Sequence, residues 1–167
     1  MGERMKAIVI GCPGSGKTTF ANKLSGKTKT ELFYLDALWH LPNREHILRE
    51  EFDRKLKEIL ERQAWIIDGN YQRTLETRLK VCDTVFLFDL PTEICIEGAI
   101  ERIGKPRPEM PWVETEFDPE FREQIENFKT TTLPEIYALL DTYKLGKEIV
   151  IFKSRTEADE WLENKYK

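Results

Sequence analysis

Five short runs of branched and aromatic residues punctuate the chain: Ala7-Ile8-Val9-Ile10, Glu31-Leu32-Phe33-Tyr34-Leu35, Trp65-Ile66-Ile67, Val85-Phe86-Leu87-Phe88 and Glu148 to Phe152. Their length and the Asp, Gly or Pro that closes several of them predict β-strands. Between them the apolar spacing changes from two to three and four. Thr19 to Leu24 continues as a helix after the first run, and Leu48, Phe52, Leu56, Ile59 and Leu60 form an amphipathic stripe after the Pro42-Asn43 turn signal. Ile96, Ala99, Ile100 and Ile103 form another stripe, after which periodicity vanishes through Gly104-Lys105-Pro106-Arg107-Pro108 until Phe117. Residues 104 to 118 therefore read as a mobile loop. Asp118-Pro119 is a cap followed by proline at the first helical position, opening a stripe of Phe121, Ile125 and Phe128 that Pro134 is expected to kink or restart. Ile136, Leu139, Leu140 and Tyr143 carry the next segment to Gly146, and Thr156 with Asp159 is expected to open the last helix. Strands alternating with helices imply an α/β fold, a parallel sheet between two helical layers, because parallel neighbours need crossover connections. The 167 residues form one expected domain.

One connection carries chemistry. Gly11-Cys12-Pro13-Gly14-Ser15-Gly16-Lys17-Thr18 matches the phosphate-binding pattern G-x-x-x-x-G-K-[ST] at every fixed position, between a predicted strand and a predicted helix. Small residues let backbone N–H groups turn in around a phosphate chain, and the following helix points its positive end there. Gly11 through Thr19 become the expected nucleotide cradle, with Lys17 reaching the β- and γ-phosphates and Thr18 placing its hydroxyl on Mg²⁺. The alternative is a glycine-rich turn that binds nothing, and the strand and helix on either side speak against it.

Composition narrows the remaining classes. A net charge of −4, with a pI near 5.4 and no basic run, argues against direct binding to nucleic acid. Met1-Gly2-Glu3-Arg4-Met5-Lys6 lacks the apolar core of a leader, and no apolar run approaches a membrane span, so a cytoplasmic location is expected. Cys12, Cys82 and Cys95 are widely spaced and indicate neither disulfides nor a zinc site. Each reads as a packed side chain, with Cys12 in the phosphate loop also a candidate for oxidation. Nothing specifies an oligomeric state.

Three strands end in aspartate, at the carboxyl edge where ligands of open α/β sheets bind. Asp68 is the candidate Mg²⁺-associated acid, or else a turn-forming Asp-Gly. Asp36 is a candidate base for an acceptor hydroxyl, or else a helix cap, and Asp89 before Pro91 reads as a cap. Arg102 and Arg107 flank the predicted loop and offer planar forks of donors to phosphate oxygens, against the alternative of solvated surface arginines. Trp39, His40 and Tyr71 sit just past strand ends and are expected either to wall an acceptor or to pack.

Gly11 through Asp36, Asp68-Gly69-x-x-x-Arg73-Thr74 and the basic loop around Arg102 and Arg107 resemble the P-loop nucleoside-monophosphate kinases, of which adenylate kinase is the best known. Leu35-Asp36-Ala37, Trp65 through Tyr71 and Asp89-Leu90-Pro91 are more similar still to the bacterial proteins called DNA topology modulation proteins. The resemblance implies a P-loop NTPase sandwich with a five-stranded parallel sheet of order 2-3-1-4-5 and a short lid at about 104–118. It implies Arg73, ahead of Arg78, as an acceptor-side arginine, and Lys153 and Ser154 as backbone contacts to adenine. It also implies ATP and Mg²⁺ as cofactors and a kinase that transfers the γ-phosphoryl group to a small-molecule or nucleotide acceptor. A nucleotide-dependent regulator or DNA-associated NTPase is the alternative. Asp68-Gly69-Asn70-Tyr71-Gln72-Arg73 is one residue longer than the Asp-Gly-Phe-Pro-Arg of adenylate kinases, which argues against AMP. The loop is short and free of cysteine, which excludes a zinc-bearing lid. The guanine-reading Asn/Thr-Lys-x-Asp run of switch proteins is missing.

Overall fold

Strands β1 (Lys6–Gly11), β2 (Leu32–Tyr34), β3 (Trp65–Asp68), β4 (Thr84–Phe88) and β5 (Glu148–Phe152) pair in parallel in the order β2-β3-β1-β4-β5, as the resemblance implies. The computed structural model describes residues 4–167, so Met1 to Glu3 of the segment read for a leader lie outside the described residues. Register sets the working edge: Asp68 lies beside Val9 and Tyr34, and Gly11 beside Phe88. The carboxyl ends of all these strands therefore come out together.

Helices α1 (Lys17–Thr28), α2 (Leu35–Trp39), α3 (Arg49–Leu60), α4 (Leu75–Val81), α5 (Thr92–Glu101), α6 (Pro119–Tyr143) and α7 (Arg155–Lys165) cover both faces of the sheet. A period of two puts Phe86 and Phe88 on one face of β4. Phe20 of α1 packs on both, at 4.9 and 5.4 Å between ring centroids, and on Phe152 at 5.2 Å. Trp161 of α7 closes the cluster against Phe86 at 5.0 Å. These rings anchor the phosphate-loop helix to the sheet. Among the described residues no helix is long and apolar enough to cross a membrane.

Several local expectations change. β2 stops at Tyr34, and Leu35 and Asp36 already belong to α2. The short α4, with buried Leu75 and Leu79 four apart, follows a 3₁₀ turn at Gln72–Thr74, an element too short to show a periodic signal. Pro134 neither restarts nor visibly divides α6, which runs unbroken for 25 residues. Ile125, Phe128, Leu133, Ile136 and Leu140 are all buried along that helix, and their burial, at roughly 1.5–3 kcal/mol each, outweighs the roughly 3 kcal/mol that an interior proline costs. Helix α7 begins earlier than expected. Ser154 caps it by accepting from Glu157 N at 3.1 Å, while Glu157 Oε2 accepts from Lys153 N at 2.6 Å. Asp159, the expected partner of a cap at Thr156, instead pairs with Lys23.

Asp89 is not a cap either. Helix α5 starts after Pro91, and the Asp89 carboxylate accepts from Tyr137 Oη at 2.7 Å and Lys153 Nζ at 2.6 Å. Burial works against its charge, yet Lys153 and Tyr137 hold the carboxyl below the ordinary carboxylate range.

Candidate functional site

The loop from Gly11 to Gly16 is backbone packed on backbone. Gly14 and Gly16 have φ of 82° and 100°, a region that favours glycine. A Cβ on Gly14 would fall 2.1 Å from the Cys95 carbonyl oxygen of α5, and one on Gly98 of α5 would fall 2.0 Å from the Gly14 oxygen. Arg155, the first residue of α7, donates from Nη2 to Gly14 O at 2.8 Å and from Nε to Ser15 O at 3.3 Å. Two loop carbonyls are thereby turned to a cation. The first turn of α1 has no side-chain cap, leaving amides that an anion can take up.

Next to this turn stands Asp68, 5% exposed at the end of β3. Thr18 Oγ1 donates to its Oδ2 at 2.6 Å, and Oδ1 is buried with no partner among the described residues. Burial pushes its carboxyl up to about 6, against the pull of Lys17 and Thr18, and the negative charges of Asp36 and Glu109 add to the rise.

The turn after Asp68 is tied to the phosphate loop. Asn70 accepts from Gly11 N at 2.9 Å and donates to Gly11 O at 2.7 Å. Arg78, fully buried, gathers the carbonyls behind it, donating to Gly69 O at 3.0 Å, Tyr71 O at 3.2 Å and Asn70 O. Burial lowers the guanidinium to about 10, so it is still charged at neutral pH, and carbonyl dipoles rather than a paired carboxylate solvate it. The same turn holds Tyr71 at φ 38°, where its hydroxyl donates to Asp36 Oδ1 at 2.7 Å. Burial first, then the Asp36 charge, raise the Tyr71 phenol and keep it protonated.

Two cavities of about 470 Å³ each adjoin this arrangement. The first is lined by Gly14, Gly16, Thr19, Asn22, Gly98 and Arg155, the second by Pro13, Asp36, His40, Asp68, Tyr71 and Trp112. Lys17, Thr18, Arg102 and Arg107 face both. The two arginines come from the irregular segment between α5 and α6, where Arg107 pairs at 3.1 Å with Glu109, itself 3% exposed. Glu109 Oε2 and Arg102 Nε are buried without partners among the described residues. Burial, then the neighbouring Arg107 charge, lower the Arg102 guanidinium.

No family model and no curated protein matches the chain. Among solved structures it is similar to an unliganded sugar kinase from Janibacter sp. HTCC2649, at 16% identity and a TM-score of 0.52, over 98% of this chain and 92% of that one. The chain has a kinase-like P-loop fold. At that identity the likeness speaks for the fold alone. It lends no support to the closer resemblance to DNA topology modulation proteins.

The residues singled out from the sequence separate into two groups. Lys17, Thr18, Asp36, Asp68, Arg102 and Arg107 meet around the paired cavities, with Pro13, Gly14, Gly16 and Thr19 on their walls. Arg73, Lys153 and Ser154 do not join them. Arg73 makes a two-point exposed pair with Asp53 of α3, at 2.8 and 3.1 Å. Lys153 is held by Asp89, and Ser154 is spent as a cap. Gly11 and Ser15 shape the loop, Ser15 being wholly buried. Cys12 is buried and free. Hydrogen bonding to the Cys95 thiol, then burial, raise its pKa, so the thiolate that oxidation requires is disfavoured. Asn70, Gly98, Glu109 and Arg155 enter the site without having been singled out as site residues, and of the two arginines after Asp68-Gly69 it is Arg78 that is buried and Arg73 that is exposed. Arg155 and Gly98 act across more than eighty residues of sequence, through packing that periodicity does not record.

Proposed function

We propose that this chain is an ATP-dependent kinase that moves the γ-phosphoryl group to the hydroxyl of a small molecule. The observation that carries the reading is the pair of cavities meeting at Lys17, Thr18, Arg102 and Arg107. A phosphoryl group in flight needs in-line positioning and cations around its equatorial oxygens. The cavity over the phosphate loop takes the nucleotide, and the cavity beside Asp36 takes the acceptor. Residues 104–118 act as the lid that carries Arg107 over both.

Thr18 and Asp68 fit a magnesium ion: a hydroxyl and a buried carboxylate whose Oδ1 lacks a partner, with room for phosphate oxygens, match an ion that binds few protein groups. When bound, such an ion neutralises charge on the β- and γ-phosphates. Lys17 and the two arginines hold the transferring group. Asp36, oriented by the Tyr71 hydroxyl, accepts the acceptor's proton as its oxygen bonds to the γ-phosphorus and the bond to the β-bridging oxygen breaks.

Incubation with γ-labelled ATP, Mg²⁺ and a panel of sugars, nucleosides, nucleotides and amino alcohols tests this. Transfer to at least one compound, reduced 100-fold or more in Asp36→Asn, is the expected result. Nucleotide binding with no transfer to any of them would sink the kinase reading.

A further inference from the structure

The acceptor cavity differs in charge from one end to the other. Its cations, Lys17, Arg102 and Arg107, are the ones shared with the nucleotide cavity, so they lie at the boundary between the two. Away from that boundary the lining carries Glu114, Glu116 and Asp118, with no lysine or arginine among them. Of the other arginines nearby, two are engaged elsewhere and two lie behind the cavity wall. Arg73 faces Asp53 on the surface, and Arg78 is buried against the carbonyls of residues 69 to 71. Arg44 and Arg122 lie over the rings of Trp112 and Phe117, at 5.2 and 5.9 Å, and line neither cavity.

The same end has an aromatic wall. Tyr71, Trp112, Phe117 and Phe121 line it, and His40 meets Trp112 edge to face at 5.0 Å. Trp112 Nε1 donates to Glu114 Oε1 at 3.1 Å, which fixes that carboxylate beside the ring. Asp118 caps α6, its Oδ1 accepting from Glu120 N at 3.0 Å, which fixes the carboxylate and leaves its second oxygen as an acceptor. Asp68, buried with an unpartnered Oδ1, also lines this cavity, at the boundary where the magnesium ion would sit. A site of this make-up offers acceptors for hydroxyl groups and flat faces for stacking, and it repels a second phosphate.

We infer that the acceptor is an unphosphorylated alcohol of sugar or nucleoside size, uncharged or cationic, and that the acids at the far end exclude phosphate monoesters. This rests on the kinase reading above. The carboxylates act by selection: a monoester brings about two negative charges to a region already carrying several.

Paired substrates test the inference. Adenosine with AMP, cytidine with CMP, ribose with ribose 5-phosphate, and glucose with glucose 6-phosphate are compared by kcat/KM at saturating Mg²⁺-ATP on the full chain. In any pair that is turned over, the parent alcohol is expected to exceed its ester by at least 100-fold. The double variant Glu114→Gln/Glu116→Gln, its fold checked by thermal unfolding, is expected to shrink that ratio about tenfold. An ester used as well as its parent, or a ratio unmoved in the double variant, overturns the inference and leaves the kinase reading intact. Transfer to neither member of any pair, with nucleotide bound, defeats the kinase reading and the inference with it.

Discussion

The side chain of Asn70 meets the backbone of Gly11 twice, accepting from its N–H at 2.9 Å and donating to its carbonyl at 2.7 Å. The end of β3 and the start of the phosphate loop are thus one unit, and Asp68, two residues before Asn70, inherits a fixed distance to Thr18. Asn70→Ala leaves a half-buried donor and acceptor unpaired, a cost of about 1–3 kcal/mol. Asn70→Asp keeps the acceptor for Gly11 N–H but sets a carboxylate against the Gly11 carbonyl, so it is expected to fare no better. Urea denaturation read beside nucleotide titration checks both, and unchanged stability in either variant would contradict the clasp.

Arg73 and Arg78 are five residues apart and differ in what they hold. Arg78 satisfies three backbone carbonyls from a fully buried position, so Arg78→Met is expected to cost more than about 3 kcal/mol, as buried carbonyls lose their donors. The exposed pair of Arg73 with Asp53 contributes no more than about 1 kcal/mol once solvent screening is counted, so Arg73→Ala is expected to leave stability and acceptor KM nearly unchanged. A large KM effect at Arg73 would restore it to the acceptor side.

Asp68 sets function against stability. Its folded carboxyl, near 6, keeps a proton that the unfolded one loses at about 3.8. The folded state therefore binds more protons between those values, and stability falls as pH rises across them. The difference corresponds to about 3 kcal/mol, since each pKa unit is worth about 1.4. In metal-free, nucleotide-free protein, Asp68→Asn is expected to match the wild type below pH 4 and to exceed it in stability at pH 8. Phosphoryl transfer is expected to fall at least 100-fold. Thermal unfolding across pH 3.5–8 decides, and a less stable variant at pH 8 would refute burial as the cause.

Gly98 lies inside α5, where replacement by alanine ordinarily gains about 1 kcal/mol. Here the added Cβ would stand 2.0 Å from Gly14 O and 2.6 Å from Arg155 Nη2. Gly98→Ala is therefore expected to destabilise the protein and to weaken nucleotide binding at least tenfold. Gly26→Ala, in α1 with nothing within 4 Å of its Cβ, is the matched control and should stabilise. Isothermal titration with ATP on both variants separates the two effects.

The strands and the phosphate loop were legible because they depend on neighbours in sequence: branched and aromatic runs of three to five residues, and a spacing of glycines, lysine and threonine. Asp68 at the end of β3 was legible for the same reason. What escaped depends on distant partners. Asn70 reads as part of a kinase motif lengthened by one residue until Gly11 is placed beside it, and Arg73 outranks Arg78 by motif while burial ranks them the other way. Pro134 reads as a break because its own cost is local, whereas the five apolar residues that outweigh it are spread along the whole of α6. Glu109 sits among prolines and carries no periodic signal, yet it is as buried as much of the core.

Among the described residues only four side chains, Lys17, Thr18, Arg102 and Arg107, look onto both cavities. In a kinase of the proposed kind these are the positions that cannot drift, since a change at any of them is felt by both substrates. The walls of the acceptor cavity are under no such double constraint. Met110, Trp112, Glu114, Glu116, Phe117 and Phe121 face one side only and come from a single continuous stretch of chain. In such a kinase that stretch could be exchanged as a cassette, retargeting it to a new alcohol while its grip on the nucleotide stays as it was.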